Sequence, residues 1–472
     1  MVWLATIAAQ VKTPISGTVK GNIMATALII LAAGRGTRMN SDMPKVLHRV
    51  GGRALFAHAV AAGQALGAER SVLVVGHGAE AVTAAAHEFD PSLEIVVQTE
   101  QLGTGHAVRA AQQALGDFDG DVVVLLGDTP FISAQTLENV AKARATNDVV
   151  VVGFHAADPA RYGRLVMQGA RLERIVEYKD ATEAERAIAF CNSGITAASA
   201  GVMFDLVGQL DDDNASNELY LTDIVGLANT NGLRATAVTC DEAETLGINS
   251  REDLAQAEAV FQARARQQAL ENGVTLVAPD TVYFCADTHV GRDVVIEPNV
   301  VFGPEATVET GAHIRAFSHI EGAHIGAGSV VGPFARLRPG AELANNSHIG
   351  NFVEIKNAVI GEGSKVNHLS YIGDADVGRR SNIGAGTITC NYDGVMKHRT
   401  RIGDDVFIGS DTMLVAPVSI GDRAMTATGT VVSSDVPDGA MAIGRSRQEN
   451  KPGFAVKLFE KLRAAKAARQ KG

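Results

Sequence analysis

Cysteine is scarce in this 472-residue chain. The four present (Cys191, Cys240, Cys285 and Cys390) lie far apart, without metal-ligand spacing. A disulfide framework and a zinc ribbon are therefore excluded, and free thiols in a reducing cytoplasm are expected. Aromatic residues make up 5%, and the one tryptophan is Trp3. No apolar run approaches the ~20 residues that a membrane-spanning helix needs. Positive charge is also short: 42 Lys and Arg against 53 Asp and Glu give a net charge of −11. General binding to nucleic acid or to an anionic membrane is not expected from such a surface. Any phosphate site must be made locally, by a few cations inside an acidic envelope.

The opening MVWLATIAA is apolar but lacks the basic segment of a signal peptide, so export is not expected. Met24 stands just before the strand-like TALIILAAG, and residues 1–23 read as an extension or an upstream start. They are left out of the fold.

What is present is written in two different periods. From Ala27 to about Cys240, the short runs ALIILAA, SVLVVG, LEIVVQ, DVVVLLGD and DVVVVGF alternate with helical stretches such as ALFAHAVAAGQALGA. Near-continuous Val, Ile and Leu runs suit parallel strands buried on both faces, so a Rossmann-like α/β domain is expected. Its ligands should bind at the carboxyl ends of the strands. Residues 250–273 read as one long helix, capped by Ser250 and followed by Gly273.

Beyond that helix a hexapeptide period sets in. Its anchors are Val290, Ile296, Phe302, Val308, Ile314 and Ile320, then Ile325, Val331, Leu337, Leu343, Ile349 and Ile355. Ile360, Val366, Ile372, Val377, Ile383 and Thr389 continue it, and Ile402, Ile408, Leu414, Ile420, Thr426 and Val432 close it. Of these 24 positions 22 are large apolar residues, where the chain's 46% would give about 11. A three-sided solenoid follows, with anchors pointing inward and glycines relieving the corners. Eight coils are expected, and residues 389–401 should project from them as a loop. The resulting division is 1–23 extension, 24–250 α/β domain, 251–273 linker helix, 274–448 solenoid and 449–472 basic tail.

Two chemistries are written into these halves. In LAAGRGTRM, Gly34 and Gly36 would let backbone N–H groups approach a phosphate, and Arg38 and Lys45 can clamp a triphosphate. The plainer alternative is a tight turn with solvated cations. In KVNHLSY, His368 offers an imidazole whose ordinary pKa of ~6.5 leaves it mostly neutral at cytoplasmic pH, able to take an ammonium proton. Histidines are common in this half, so a solenoid His without a role is the competing reading.

LAAGRGTRM with PKVL resembles the signature of sugar-1-phosphate nucleotidyltransferases. With QTEQLGTGHA, GRLV, VEYKDA, CNSGI and the hexapeptide half, the chain is similar to the bacterial family of bifunctional N-acetylglucosamine-1-phosphate uridylyltransferase/glucosamine-1-phosphate acetyltransferases. The likeness runs from about Met24 to about Arg447. It implies a left-handed parallel β-helix, a homotrimer, and Mg²⁺, UTP and acetyl-CoA as the partners of catalysis.

For the first reaction, the resemblance implies that Leu31, Gly34 and Arg35 lie at the nucleotide, with Arg38 and Lys45 on its phosphates, Arg38 as a catalytic cation. Gln98, Gly103 and Thr104 would read the uracil. Gly163, Glu177 and Asn192 would hold the sugar, and Asp128 and Asn249 would bind Mg²⁺. The sugar phosphate then attacks the α-phosphorus of UTP and expels pyrophosphate. A helix-capping role is the alternative for Asp128 and Asn249.

For the second, His368 would be the base, Arg338 and Lys356 would hold the sugar phosphate, and Tyr371 and Asn382 would stand nearby. Ala385, Asn391, Tyr392, Ser410, Thr428 and Arg445 would line the acetyl-CoA site. Two departures stand out: Arg35 where a Lys is common, and Thr428 where a small Ala is expected. The product would feed peptidoglycan and, in many bacteria, lipopolysaccharide. The competing readings are a monofunctional nucleotidyltransferase with a regulatory β-helix, and a prism that only trimerises.

Overall fold

The computed structural model describes residues 25–470; the expected extension 1–23, with Trp3, and Met24 lie outside them. The chain forms two compact units that divide at Phe261/Gln262, within the long helix.

In the first unit, the apolar runs become strands β1 (Thr26–Ala32), β2 (Arg70–Val75), β3 (Glu94–Val97), β4 (Asp121–Leu126) and β5 (Val149–His155). A hairpin of β6 (Arg164–Gln168) and β7 (Arg171–Val176), a long β8 (Phe190–Ser199) and β9 (Ala235–Thr239) complete the sheet. Its order is β9-β5-β8-β4-β1-β2-β3, with the hairpin joined to β8. Alternate residues of β1 feed two cores. Leu28 and Ile30 pack with Phe56, Val60, Leu137 and Val140 on one face, and Ala27 and Ile29 with Val108, Met203, Leu206 and Ile224 on the other.

The expected parallel sheet is corrected at β8 and at the β6–β7 hairpin, whose strands pair antiparallel to each other and, through β6, to β8. Strand β8 runs antiparallel to both β4 and β5 and breaks register between Asn192 and Thr196. Its sequence, FCNSGITAAS, is rich in small residues and carries little apolar signal, because its neighbours on both faces already fill the space around it.

The chain runs from β1 outward to β2 and β3, then returns to pair β4 against the opposite side of β1. The carboxyl ends of β1 and β4 thus flank the point where strand order reverses, the usual ligand crevice of such sheets. The nonapeptide continues from β1 there, and Asp128 follows the end of β4.

The long helix runs Arg251–Glu271. Ser250 Oγ accepts the Asp253 N–H at 3.1 Å, and the Asp253 carboxylate accepts those of Asn249 and Ser250, both at 2.9 Å. This reciprocal cap ties down three donors that would otherwise be orphaned at the helix start. Gly273, at φ +84°, ends the turn that follows.

In the second unit every anchor of the hexapeptide period lies on a short strand, and all are buried except the half-buried Val290. Parallel partners are 17 or 18 residues apart along most of the prism, as in Ile296↔Ile314 and Ile349↔Val366, so three hexads make one coil. One face stacks ten strands, from Thr275–Leu276 to Met441–Ala442, which extends the solenoid beyond the anchors at both ends. The two threonine anchors are buried because their hydroxyls are satisfied. Thr389 Oγ1 bonds the backbone of Gly373, and Thr426 Oγ1 meets Thr412 Oγ1 at 3.0 Å.

The interruption is a projecting loop, shorter than expected: Thr389 and Cys390 finish one strand and Thr400 begins the next. Within it Tyr392 bridges Lys397, and Val395 is 87% exposed. The tail forms the helix Phe454–Arg469, none of which is buried.

Candidate functional site

The nonapeptide leaves β1 at Ala32, and Leu31 anchors its exit by accepting the Gly127 N–H at 2.9 Å. Gly36 sits at φ +60°, and a Cβ there would fall 2.6 Å from Lys45 Cβ, so no side chain fits between the turn and Lys45. Gly34 has open space around it, and Arg35 and Arg38 project to solvent from the same turn.

Lys45 reaches inward. Its Nζ lies 2.5 Å from Asp128 Oδ2 and 3.1 Å from Asn249 Oδ1, in a half-buried position. The Ile248 N–H to Asp128 O bond, 3.0 Å, is what brings the two oxygen donors to one point. Asn249 is therefore not the helix cap; its oxygen faces Lys45, and Ser250 and Asp253 do the capping. Among the described residues no group of three or more His, Cys, Asp or Glu converges as a metal site. One carboxylate and one amide oxygen, already sharing a cation, fit Mg²⁺, which keeps most of its ligands as water and substrate phosphate.

The expected base-reading loop is pinned from both sides. Gln101 Nε2 donates to Ala33 O at 2.9 Å, tying the loop to the nonapeptide. Thr104 Oγ1 accepts the Leu221 N–H at 3.0 Å. At Gly103, φ +113°, a Cβ would strike Leu219 O at 2.6 Å. Gln98 is buried, its amide donating toward Gly103 O and His106 Nδ1.

Gly163, Glu177 and Asn192 come together. The Asn192 N–H donates to Gly163 O at 2.9 Å, and a Cβ on Gly163 would lie 3.3 Å from Glu177 Oε1. Burial pushes the Glu177 carboxyl above its usual range, opposed by a 3.2 Å hydrogen bond from Thr222. Beside it, burial and then the charges of Asp211 and Asp180 raise Asp223 to about 6.

On the prism the residues expected to serve acyl transfer fall along two lines. The first starts at the exposed His368, whose Nδ1 meets Asn351 Oδ1 at 2.8 Å one coil below. His368 O accepts from Gly386 N, Ala385 O from Asp411 N, and Ser410 O from Gly429 N. A Cβ on Gly429 would lie 3.9 Å from Arg445 Cδ. His368, Ala385, Ser410, Thr428 and Arg445 thus follow one edge over four coil steps, about 19 Å at the strand spacing. Asn382 shares this face, pairing Lys365 below and Phe407 above.

The second line gathers cations. Arg338 pairs Glu354 at 2.8 Å, and Lys356 lies 3.4 Å from Asp374. Asp374 is buried at φ +49°, where it also accepts from Asn357 Nδ2 at 2.6 Å and from Asn391 Nδ2. Burial pushes its carboxyl up, but these amides and the Lys356 ammonium outweigh it and leave the carboxyl below its usual range. Asn391 also faces the Tyr371 hydroxyl at 3.4 Å, so the loop is held to the prism through Asp374. Tyr392 is exposed, with its hydroxyl on Gly394 O at 2.6 Å. Lys397, on the same loop, is held below the usual lysine range by the adjoining Lys356.

The sequence reading did not single out Asn351, Asp374, Lys397, Gln101 or His106. For the first two a signal existed. Asn351 precedes His368 by 17 residues and Lys356 precedes Asp374 by 18, the length of one coil.

Residues 28–194 match the model of the MobA-like NTP transferase domain, and residues 322–357 and 399–434 match that of bacterial transferase hexapeptide repeats. A protein of Ruegeria sp. (strain TM1040) named "Bifunctional protein GlmU" is 66% identical over 449 residues, covering 95% of this chain and all of that one. Proteins of the same name from Jannaschia sp. (strain CCS1) and Roseobacter denitrificans are 61% and 64% identical, over 94% and 95% of this chain and 98% and 100% of theirs.

Proposed function

The chain belongs to the family of bifunctional GlmU proteins, and from that premise we propose how its two halves divide the work. The protein is a transferase with two activities. It acetylates glucosamine-1-phosphate with acetyl-CoA, then joins N-acetylglucosamine-1-phosphate to UMP from UTP, giving UDP-N-acetylglucosamine and pyrophosphate for cell-wall synthesis.

In the prism, Arg338 and Lys356 hold the sugar phosphate, with Tyr371 and Asn382 about the sugar. His368 takes the proton from the amine through Nε2, since its Nδ1–H donates to Asn351 Oδ1. The freed amine attacks the thioester carbonyl, and the thiol leaves. The edge from Ala385 and Ser410 to Thr428 and Arg445 carries the extended cofactor arm, with Asn391 and Tyr392 on the acyl side.

In the α/β domain, the N–H groups of the Gly34–Gly36 turn and the cations Arg38 and Lys45 hold the triphosphate, beside Leu31 and Arg35. Gln98, Gly103 and Thr104 take the base. Gly163, Glu177 and Asn192 orient the sugar so that its phosphate oxygen stands in line with the α-phosphorus. Asp128 and Asn249 would hold Mg²⁺, which when bound offsets the charge gathering on the phosphates. Lys45 then turns from Asp128 to the substrate. No protein base is required, because a phosphate oxygen is already nucleophilic.

The acting form in this reading is a cytoplasmic homotrimer. Two features support assembly. Phe317, Phe334 and Phe352 stack in an exposed ladder with centroids 4.8 and 5.3 Å apart, and the tail helix exposes Phe454, Leu458 and Leu462.

The observation that carries the reading is the convergence of Lys45, Asp128 and Asn249 at the strand-order reversal, on a chain that also carries the His368 edge. Incubation with glucosamine-1-phosphate and acetyl-CoA should release thiol and yield N-acetylglucosamine-1-phosphate. Adding UTP and Mg²⁺ should carry the product to UDP-N-acetylglucosamine by mass. Absence of thiol release would remove the acetyl-transfer half.

A further inference from the structure

Gln98 has two amide hydrogens and two acceptors within reach. Gly103 O, 3.1 Å away, is a backbone carbonyl and can only accept, so the amide nitrogen must face it. The same nitrogen lies 3.1 Å from His106 Nδ1, which accepts the second hydrogen when the ring carries its proton on Nε2. Both donors are then consumed inside the chain. Among the described residues nothing donates to Gln98 Oε1. That oxygen is also not among the buried side-chain atoms left without a partner, so it opens to solvent although the residue is 5% exposed. His106 itself is fixed on the helix Thr104–Ala110, whose preceding turn is closed on Leu219 and Leu221.

We propose that His106 sets the pyrimidine specificity of the first reaction by locking the Gln98 amide so that it offers the base an acceptor and no donor. This rests on the reading above in which Gln98 faces the base. Uracil presents N3–H, a donor, and matches a fixed oxygen. Cytosine presents a bare N3 lone pair, so the same oxygen meets it acceptor to acceptor. Turning the amide over would accept cytosine, but it would set Oε1 against Gly103 O, two acceptors facing one another, and would require the His106 ring to move its proton from Nε2 to Nδ1. The lock therefore rejects cytosine partly through His106, which does not touch the base, by leaving polar atoms unpaired when the wrong base binds. Thymine shares the N3–H, so the device separates uracil from cytosine only.

The test is the ratio of kcat/KM for UTP over CTP in the full-length protein, with N-acetylglucosamine-1-phosphate saturating and thiol release from acetyl-CoA as a check that the rest of the chain is intact. His106→Leu, which removes the acceptor, should lower the ratio at least tenfold. His106→Asn, which restores an acceptor oxygen, should recover much of it and serves if the leucine variant does not fold. Gln98→Leu should lower the ratio at least as far. A ratio unchanged by both His106 variants but lowered by Gln98→Leu would overturn the lock while leaving Gln98 at the base. A ratio unchanged in all three would overturn the base-reading assignment as well.

Discussion

His368 Nδ1 lies 2.8 Å from Asn351 Oδ1, across one coil of the prism. An amide oxygen can only accept, so this contact favours the tautomer with the proton on Nδ1, which leaves the Nε2 lone pair open for the proposed role as base. Asn351→Ala should cut acetyl transfer about tenfold, the worth of one positioning hydrogen bond, and His368→Ala by about 10²–10⁴. Asn351→Asp places a carboxylate beside the ring and favours imidazolium. The acid limb of the acetyl-transfer pH profile should then move to higher pH, with uridylyl transfer unchanged.

Gly36 and Gly34 should respond differently to a single methyl group. At Gly36 the backbone is left-handed and the new Cβ meets Lys45 Cβ at 2.6 Å. Gly36→Ala should destabilise the α/β unit by about 1–2 kcal/mol and displace Lys45, so thermal melting and pyrophosphate release both fall. Gly34→Ala meets nothing within 4 Å and should leave melting unchanged.

Asp374 is the buried hub between Lys356, Asn357 and Asn391. Asp374→Ala leaves an uncompensated cation and two unpaired amides, a loss of about 3 kcal/mol or more. Acetyl transfer should fall with a raised KM for glucosamine-1-phosphate, and the loop at 391–399 should become the first site of limited proteolysis.

Asp223, raised to about 6, is a carboxyl that the fold prefers neutral. Its unfolded value is near 3.8, so its contribution is fully present below pH 4 and is lost as pH rises toward 6. Asp223→Asn should therefore melt like the parent at pH 4 and higher than it at pH 8. After solvent screening the gain is about 1 kcal/mol, a few degrees in Tm.

The prism was legible because its signal is periodic: each anchor repeats one contact, and the strands fall where the period puts them. The parallel strands β1, β2, β4 and β5 were legible from Val and Leu runs alone. Strand β8 was not, since Gly194, Ala197 and Ala198 pack by being small and leave no hydrophobic trace. The charged and glycine-rich site residues stood out by type. Of their partners, Asn351 and Asp374 were marked only by lying one coil from His368 and Lys356, and His106 was not marked at all, because each meets its neighbour only through stacking or a pinned loop. That Lys45 rests on Asp128 and Asn249 also lay beyond the sequence, since the bond from Ile248 to Asp128 O that joins them spans 120 residues.

The central claim is that two independent chemistries share one chain. Asp128→Ala and His368→Ala should be assayed side by side, for pyrophosphate from UTP with N-acetylglucosamine-1-phosphate and for thiol from acetyl-CoA with glucosamine-1-phosphate. The account predicts that the first variant loses pyrophosphate release and keeps thiol release, and that the second does the reverse. Loss of both activities in either variant, with melting unchanged, would contradict it.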